Sequence, residues 1–248
     1  PYTAGNRPSG YDASGSYTLD LNGHTLNAWL ELKTKESNLT IQDSKSGGKL
    51  QAPGDLDILS VKAGSATIKS GTLVSSSKGS PIAFGDWKDC GTLTIEGGSF
   101  AGYVYIGYDG GKTVISGGAF HELHVHGDAT LSGGTFDTVK RYKSGGTIAP
   151  ADLLKDGYVF VNRDTGAEVS ASQAAALTNV KVVSEKTANA SASLTVDGTE
   201  IPYRTFEEAL TAAQQTQGGT LSLLADVNLS NQVNVNSGTF TLDLNGHT

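Results

Sequence analysis

One short corner, repeated along the chain, limits what this sequence can fold into more than any other feature. Leu21-Asn22-Gly23-His24-Thr25-Leu26 sets the template: an aliphatic residue, a small or polar pair usually containing Gly, a spacer, and a second apolar residue five positions on. The template returns as Ile68-Lys69-Ser70-Gly71-Thr72-Leu73, Ile95-Glu96-Gly97-Gly98-Ser99-Phe100, Ile115-Ser116-Gly117-Gly118-Ala119-Phe120 and Leu131-Ser132-Gly133-Gly134-Thr135-Phe136, and Ile41 fills the remaining gap with its turn altered. Anchors at 21, 41, 68, 95, 115 and 131 suit the coils of a solenoid joined by loops of variable length, and exclude an α-helical repeat. Ahead of each anchor the pattern alternates, as in Thr92-Leu93-Thr94-Ile95, which puts Leu93 and Ile95 on one strand face. Glycine supplies positive φ at the corner, and Phe100, Phe120 and Phe136 are placed to stack in successive coils. The expectation is an all-β chain, most of it a right-handed parallel β-helix. An antiparallel sandwich also alternates and turns at glycines, but has no reason to repeat one corner in one register.

Composition agrees. Thirty-two glycines against six prolines, with 17% charged residues, describe short strands joined by many tight turns. A net charge of −7 and the lack of a basic cluster argue against nucleic acid and against anionic membrane surfaces. No apolar run approaches the ~18 residues of a membrane span. Cys90 stands alone, so there is no intrachain disulfide, and no Cys/His spacing of a structural zinc site is present. With neither methionine nor leader, the sequence reads as a piece of a longer precursor.

Three regions follow: a parallel β-solenoid over 1–150, a closing β-hairpin and linker over 151–193, and a capping helix with the first strands of a further module over 194–248. Tyr158-Val159-Phe160-Val161 and the turn Asn162-Arg163-Asp164-Thr165-Gly166 predict the hairpin, while Ser170 to Ser193 reads as a linker carrying one strand at Val180-Lys181-Val182-Val183. Thr205-Phe206-Glu207-Glu208 is a capping box that opens a short amphipathic helix with an apolar stripe of Phe206, Ala209, Leu210 and Ala213, and Gly218-Gly219 is expected to end it. Such a helix hides the open edge of a first coil. Thr241-Leu242-Asp243-Leu244-Asn245-Gly246-His247-Thr248 then repeats Thr18 to Thr25 identically, so a second module is expected to begin there.

With these repeats and the Tyr203 to Val227 stretch, the chain resembles the β-helical, pectate-lyase-like repeat modules of large cell-wall-anchored surface proteins of Gram-positive bacteria. The resemblance covers about residues 15 to 150 and 195 to 248, and implies a secreted, cell-surface location with neighbouring modules of the same chain as partners. It names no ligand.

Candidate chemistry gathers on one strand face. In Glu122-Leu123-His124-Val125-His126, alternation sets Glu122, His124 and His126 together and turns Leu123 and Val125 inward. His-x-His on a strand is a metal-binding spacing for zinc or calcium, with Asp109 or Asp128 as a further ligand; the other reading is an exposed polar face. One coil earlier lie Tyr103 and Tyr105, with Tyr108 in the following turn and Trp87 in the loop before; one coil later come Lys140 and Tyr142. An aligned ladder of these side chains would bind a host glycan or host surface protein, or serve only as cross-strand packing. Asp86 and Asp89, in Asp86-Trp87-Lys88-Asp89, are the candidate acids of a glycan-cleaving enzyme of pectate-lyase-like fold. The reading taken forward is a non-catalytic stalk or adhesin module, with the glycan-cleaving enzyme and a pure structural spacer as alternatives.

Overall fold

The computed structural model describes residues 15–52, 54–75, 79–107, 110–143, 146–172 and 174–248, and only the backbone of Asp86 and Trp87. The chain is mostly β, with little helix, and divides into two compact units, Pro1–Val182 and Val183–Thr248. Among the described residues no helix is long and apolar enough to cross a membrane.

The first unit holds one mixed sheet of sixteen strands, most of its ladders parallel. The repeated corner generates two columns of side chains in it. Leu19, Ile41, Ile68, Ile95, Ile115 and Leu131 are successive register partners on parallel strands. Five residues past the later anchors a second column runs Leu26, Leu50, Leu73, Phe100, Phe120 and Phe136. From Ile41 and Leu50 onward both columns are buried. Each such side chain contributes about 1.5–3 kcal/mol by leaving water. The phenylalanines stack face to face, with centroids 4.7 Å apart for Phe100 and Phe120 and 4.9 Å for Phe120 and Phe136. A third buried column, Val104, Leu123 and Val139, lies beyond a further bend of the same strands.

The two glycines of the corner do different work. Gly118 has φ +101°, which a side chain resists, whereas a Cβ on Gly117 would strike the Glu96 carbonyl of the preceding rung. The first corner also departs from the template. Leu19, not Leu21, is the register partner of Ile41, and Leu21 is buried over the glycine corners that follow, against the Cα positions of Gly48 and Gly71.

The parallel run ends in antiparallel pairing. Thr135–Lys143 pairs with Gly146–Ile148 and with Ala176–Ser184. Where the sequence reads as a linker with one strand, Leu177, Val180 and Val182 are buried in the main core, so the segment belongs to the sheet. Tyr158–Asn162 turns back through the Asn162 N–H to Ala167 carbonyl bond, 2.8 Å, with one isolated antiparallel bridge, Val161 to Glu168, and Phe160 is buried. Arg141 holds the inward position that Val125 holds one strand earlier. Its guanidinium donates to the carbonyls of Gly127 (2.7 Å) and Val125 (3.4 Å) and pairs with Asp152 at 3.3 Å, so the buried charge is satisfied at the end of the aliphatic column.

In the second unit Ala192–Val196 pairs with Thr199–Tyr203 across the two-residue turn Asp197-Gly198, both at positive φ (50° and 76°), the type I′ geometry suited to strand twist. The capping box forms, with the Glu208 N–H on the Thr205 hydroxyl at 3.2 Å and the Thr205 N–H on the Glu208 carboxylate at 3.4 Å. Helix Phe206–Gln214 buries Ala209, Leu210 and Ala213 against Ala192, Leu194, Leu221 and Leu223. The helix stops at Gln214, ahead of Gly218-Gly219, because those glycines already lie in strand Gln217–Leu223.

Candidate functional site

Three parallel strands, Ser99–Ile106, Ala119–Val125 and Thr135–Lys143, build the face singled out by the sequence. Val104, Ile106, Leu123, Val125 and Val139 point inward, and the alternate residues point outward. Register sets Tyr105 beside His124 beside Lys140, and Tyr103 beside Glu122 beside Thr138. An extra residue in the first strand, at Gly102 with φ +126°, brings Tyr103 and Tyr105 into this register after the bend.

The rings do not stack straight across. Tyr103 lies over His124 (5.4 Å), His124 contacts Tyr142 (5.6 Å), Tyr142 stacks on His126 (4.3 Å, 4° between planes), and His126 contacts Tyr105 (5.0 Å). Five rings thus form one continuous half-buried chain across three strands. The diagonal lean is within reach of neighbouring strands for long side chains.

Beside the rings is a small polar cluster. His124 Nε2 lies 2.7 Å from the Glu122 carboxylate, and the Lys140 ammonium donates to the same oxygen at 3.3 Å. Burial pushes the Glu122 carboxyl up, but the hydrogen bonds and charges of His124 and Lys140 outweigh it and hold the group below the usual range.

The metal reading of Glu122, His124 and His126 gains no support from this arrangement. One Glu122 oxygen is met by His124 and Lys140, and the His126 ring is stacked on Tyr142. Among the described residues no group of three or more His, Cys, Asp or Glu side chains is placed to hold a metal ion. Asp128 is exposed and adds no ligand to such a set; Asp109 and Tyr108 lie outside the described residues, as do the side chains of Trp87 and Asp86. Asp89 is exposed and salt-bridged to Lys35 at 2.8 Å.

One grouping escapes the sequence. Asp137 accepts from Arg163 at 2.6 Å and meets His121 at 3.2 Å, beside a depression of ≈ 310 Å³ along Ser99, Ala119 and Thr135. His121 and Asp137 stand at matching places on adjacent strands, but Arg163 arrives from the hairpin turn, which no spacing in the sequence foretells.

Comparison with protein-family models, curated proteins and solved structures finds no match to this chain.

Proposed function

We propose that this chain is a non-catalytic module of a bacterial cell-surface protein that binds glycan through the ring-bearing strand face. In this reading the parallel ladders of residues 15–143 are coils of a right-handed β-helix, serving as a stalk that lengthens by adding modules. The observation that carries the reading is the continuous chain of Tyr103, His124, Tyr142, His126 and Tyr105 on one outward face. Half-exposed rings in a row offer flat apolar surfaces to the C–H faces of successive sugars, while Glu122 and Lys140 supply an acceptor and donors at the edge. A cleaving site is less well supported, since Asp89 faces Lys35 rather than a second carboxylate.

The test is a glycan-array screen of the chain, followed by titration of any hit against Tyr105→Ala and His124→Ala. Loss of at least about tenfold in affinity, the effect of removing a well-packed contact worth over ~1 kcal/mol, is expected of each. Undiminished binding by the double variant would reject this face. Silence across the array from a folded sample would favour a spacer, and binding to a host surface protein alone would replace the glycan.

A further inference from the structure

Ahead of the bend that leads to the ring-bearing face, the same three strands carry a second outward surface of a different kind. Phe100, Phe120 and Phe136 point inward there, so Ser99, Ala119 and Thr135, which are register partners, point out. Ser99 and Ala119 are exposed and Thr135 is half-buried. Three small side chains in one row leave space that larger ones would fill, and they floor the depression of ≈ 310 Å³. That volume is at the lower end of the roughly 300–1,000 Å³ of small-molecule sites, room for one small ring rather than a chain.

The wall of the depression is polar and is held from behind. Asp137 receives one N–H of Arg163 at 2.6 Å on one carboxylate oxygen, and His121 Nδ1 lies 3.2 Å from the other. Those contacts, Arg163 first, hold the Asp137 carboxyl below its usual range, so it stands as an ionised acceptor. Arg163 is fixed through its own backbone: its N–H donates to the Asn179 carbonyl at 3.0 Å, and the Asn179 carboxamide donates to Asp164 at 2.6 Å. Asn162 closes the same turn by accepting from the Asp164 and Thr165 amides, each at 3.0 Å. The guanidinium is thus placed before any ligand arrives, which lowers the ordering cost of binding.

We infer that this depression is a second binding site, for one neutral sugar unit that presents two adjacent hydroxyls to Asp137 and Arg163. An ionised carboxylate only accepts hydrogen bonds and a guanidinium only donates them, whereas a hydroxyl does both. A carboxylate beside a guanidinium is therefore the complement of a vicinal diol, one hydroxyl donating to Asp137 and its neighbour accepting from Arg163. The Ser99 and Thr135 hydroxyls turn to suit a third and fourth sugar oxygen, and the Ala119 methyl meets the C–H face. Charge decides against the other small ligands of this size. In the lining Asp137 balances Arg163, so an anionic sugar meets a like charge at Asp137 and a cationic one meets it at Arg163. Lys181, opposite Thr135, stands one strand farther on and makes an acidic sugar the sharpest comparison. The site shares a ligand class with the ring-bearing face but none of its residues, so either can fail without the other.

The chain's five histidines serve as position markers for the test. Methyl glycosides of glucose, galactose and mannose are titrated into the full chain while the imidazole C–H signals are followed by NMR, with glucuronic acid and protonated glucosamine as charged comparisons. At least one neutral glycoside should saturate in the millimolar range and move His121 most, leaving His124 and His126 in place. Ala119→Leu fills the floor, spares the polar wall and should weaken that binding at least about tenfold in a sample with a folded circular-dichroism spectrum. Asp137→Asn keeps the shape and removes the acceptor's charge; it should weaken the neutral glycoside about tenfold and reverse the preference in favour of glucuronic acid. Movement of His124 and His126 without His121 would overturn this site and leave the ring-bearing face standing. Tighter binding of either charged sugar to the unaltered chain, undiminished binding by Ala119→Leu or Asp137→Asn, or a still His121 with every glycoside would overturn it as well.

Discussion

Two ladders of rings ride on the same three strands, and their contrast separates what folds the chain from what the proposed function assigns to a partner. Phe100, Phe120 and Phe136 are sealed inside and stack nearly parallel, with interplanar angles of 18° and 16°. Tyr103, Tyr105, His124, His126 and Tyr142 lie outside, half-buried, with interplanar angles from 4° to 55°. One parallel register produces both, because it sets like positions of successive strands side by side on each face. The inner rings have a single best arrangement, fixed by close packing on every side. The outer rings are half-buried and lean to meet diagonal neighbours, and theirs is the face that the proposed function gives to a ligand. The contrast therefore predicts that truncation inside removes stability and truncation outside removes binding.

The largest effect is expected at the middle inner ring. Phe120→Ala opens a void between Phe100 and Phe136 and should cost about 3–5 kcal/mol in denaturant unfolding. A loss below about 1 kcal/mol would mean that the stack is not the centre of the core. Next comes the corner that sets the register. Gly117→Ala places a methyl group against the rigid Glu96 carbonyl and should cost about 1–3 kcal/mol by the same measurement. An alanine tolerated there would show that the rungs separate more easily than the close contact implies.

Acid should act on the outer face before the inner one. Burial raises the Glu122 carboxyl, yet its bonds to His124 and Lys140 prevail and set it below the ordinary value of 4.5; Asp137 is lowered by Arg163 and then by His121. A carboxyl lowered in the folded state gives stability that is complete above its unfolded pKa and is lost as pH falls through its folded pKa. Both groups are partly exposed, so each should contribute less than about 1 kcal/mol. Thermal melts should thus fall between pH 5 and pH 3, and the fall should be smaller in Glu122→Gln; an unchanged slope would remove the Glu122 cluster from the account.

How much of this was legible in the sequence depends on how far apart the deciding residues lie. The inner columns were readable because most rungs carry their own alternation and glycine corner, and the last three also a Gly-Gly pair and a phenylalanine. The choice between Leu19 and Leu21 was not, since residues two apart face the same way and only the partner strand decides between them. The outer face was readable for the same reason as the core, apart from the diagonal lean and the Glu122–His124–Lys140 cluster, which depend on side-chain reach. Arg163 on Asp137 joins residues from different elements and left no local trace. The Asp197-Gly198 hairpin did leave one, an Asp-Gly pair between Leu194-Thr195-Val196 and Thr199-Glu200-Ile201.

The smallest effect on stability should come from the residues that the proposed function assigns to binding. His124 touches Tyr103 and Tyr142 and bonds Glu122, but each cross-strand pair of this kind contributes only about 0.2–1 kcal/mol. Its position is half-buried rather than sealed, so truncation leaves a dent open to water instead of a dry void. His124→Ala should therefore lower unfolding stability by less than about 1 kcal/mol, several-fold less than Phe120→Ala on the same strand. Denaturant midpoints for the two variants, measured with one fluorescence probe, make the comparison direct. Equal losses would place His124 among the groups that hold the fold, and the outer rings would then be packing rather than a surface kept for a partner.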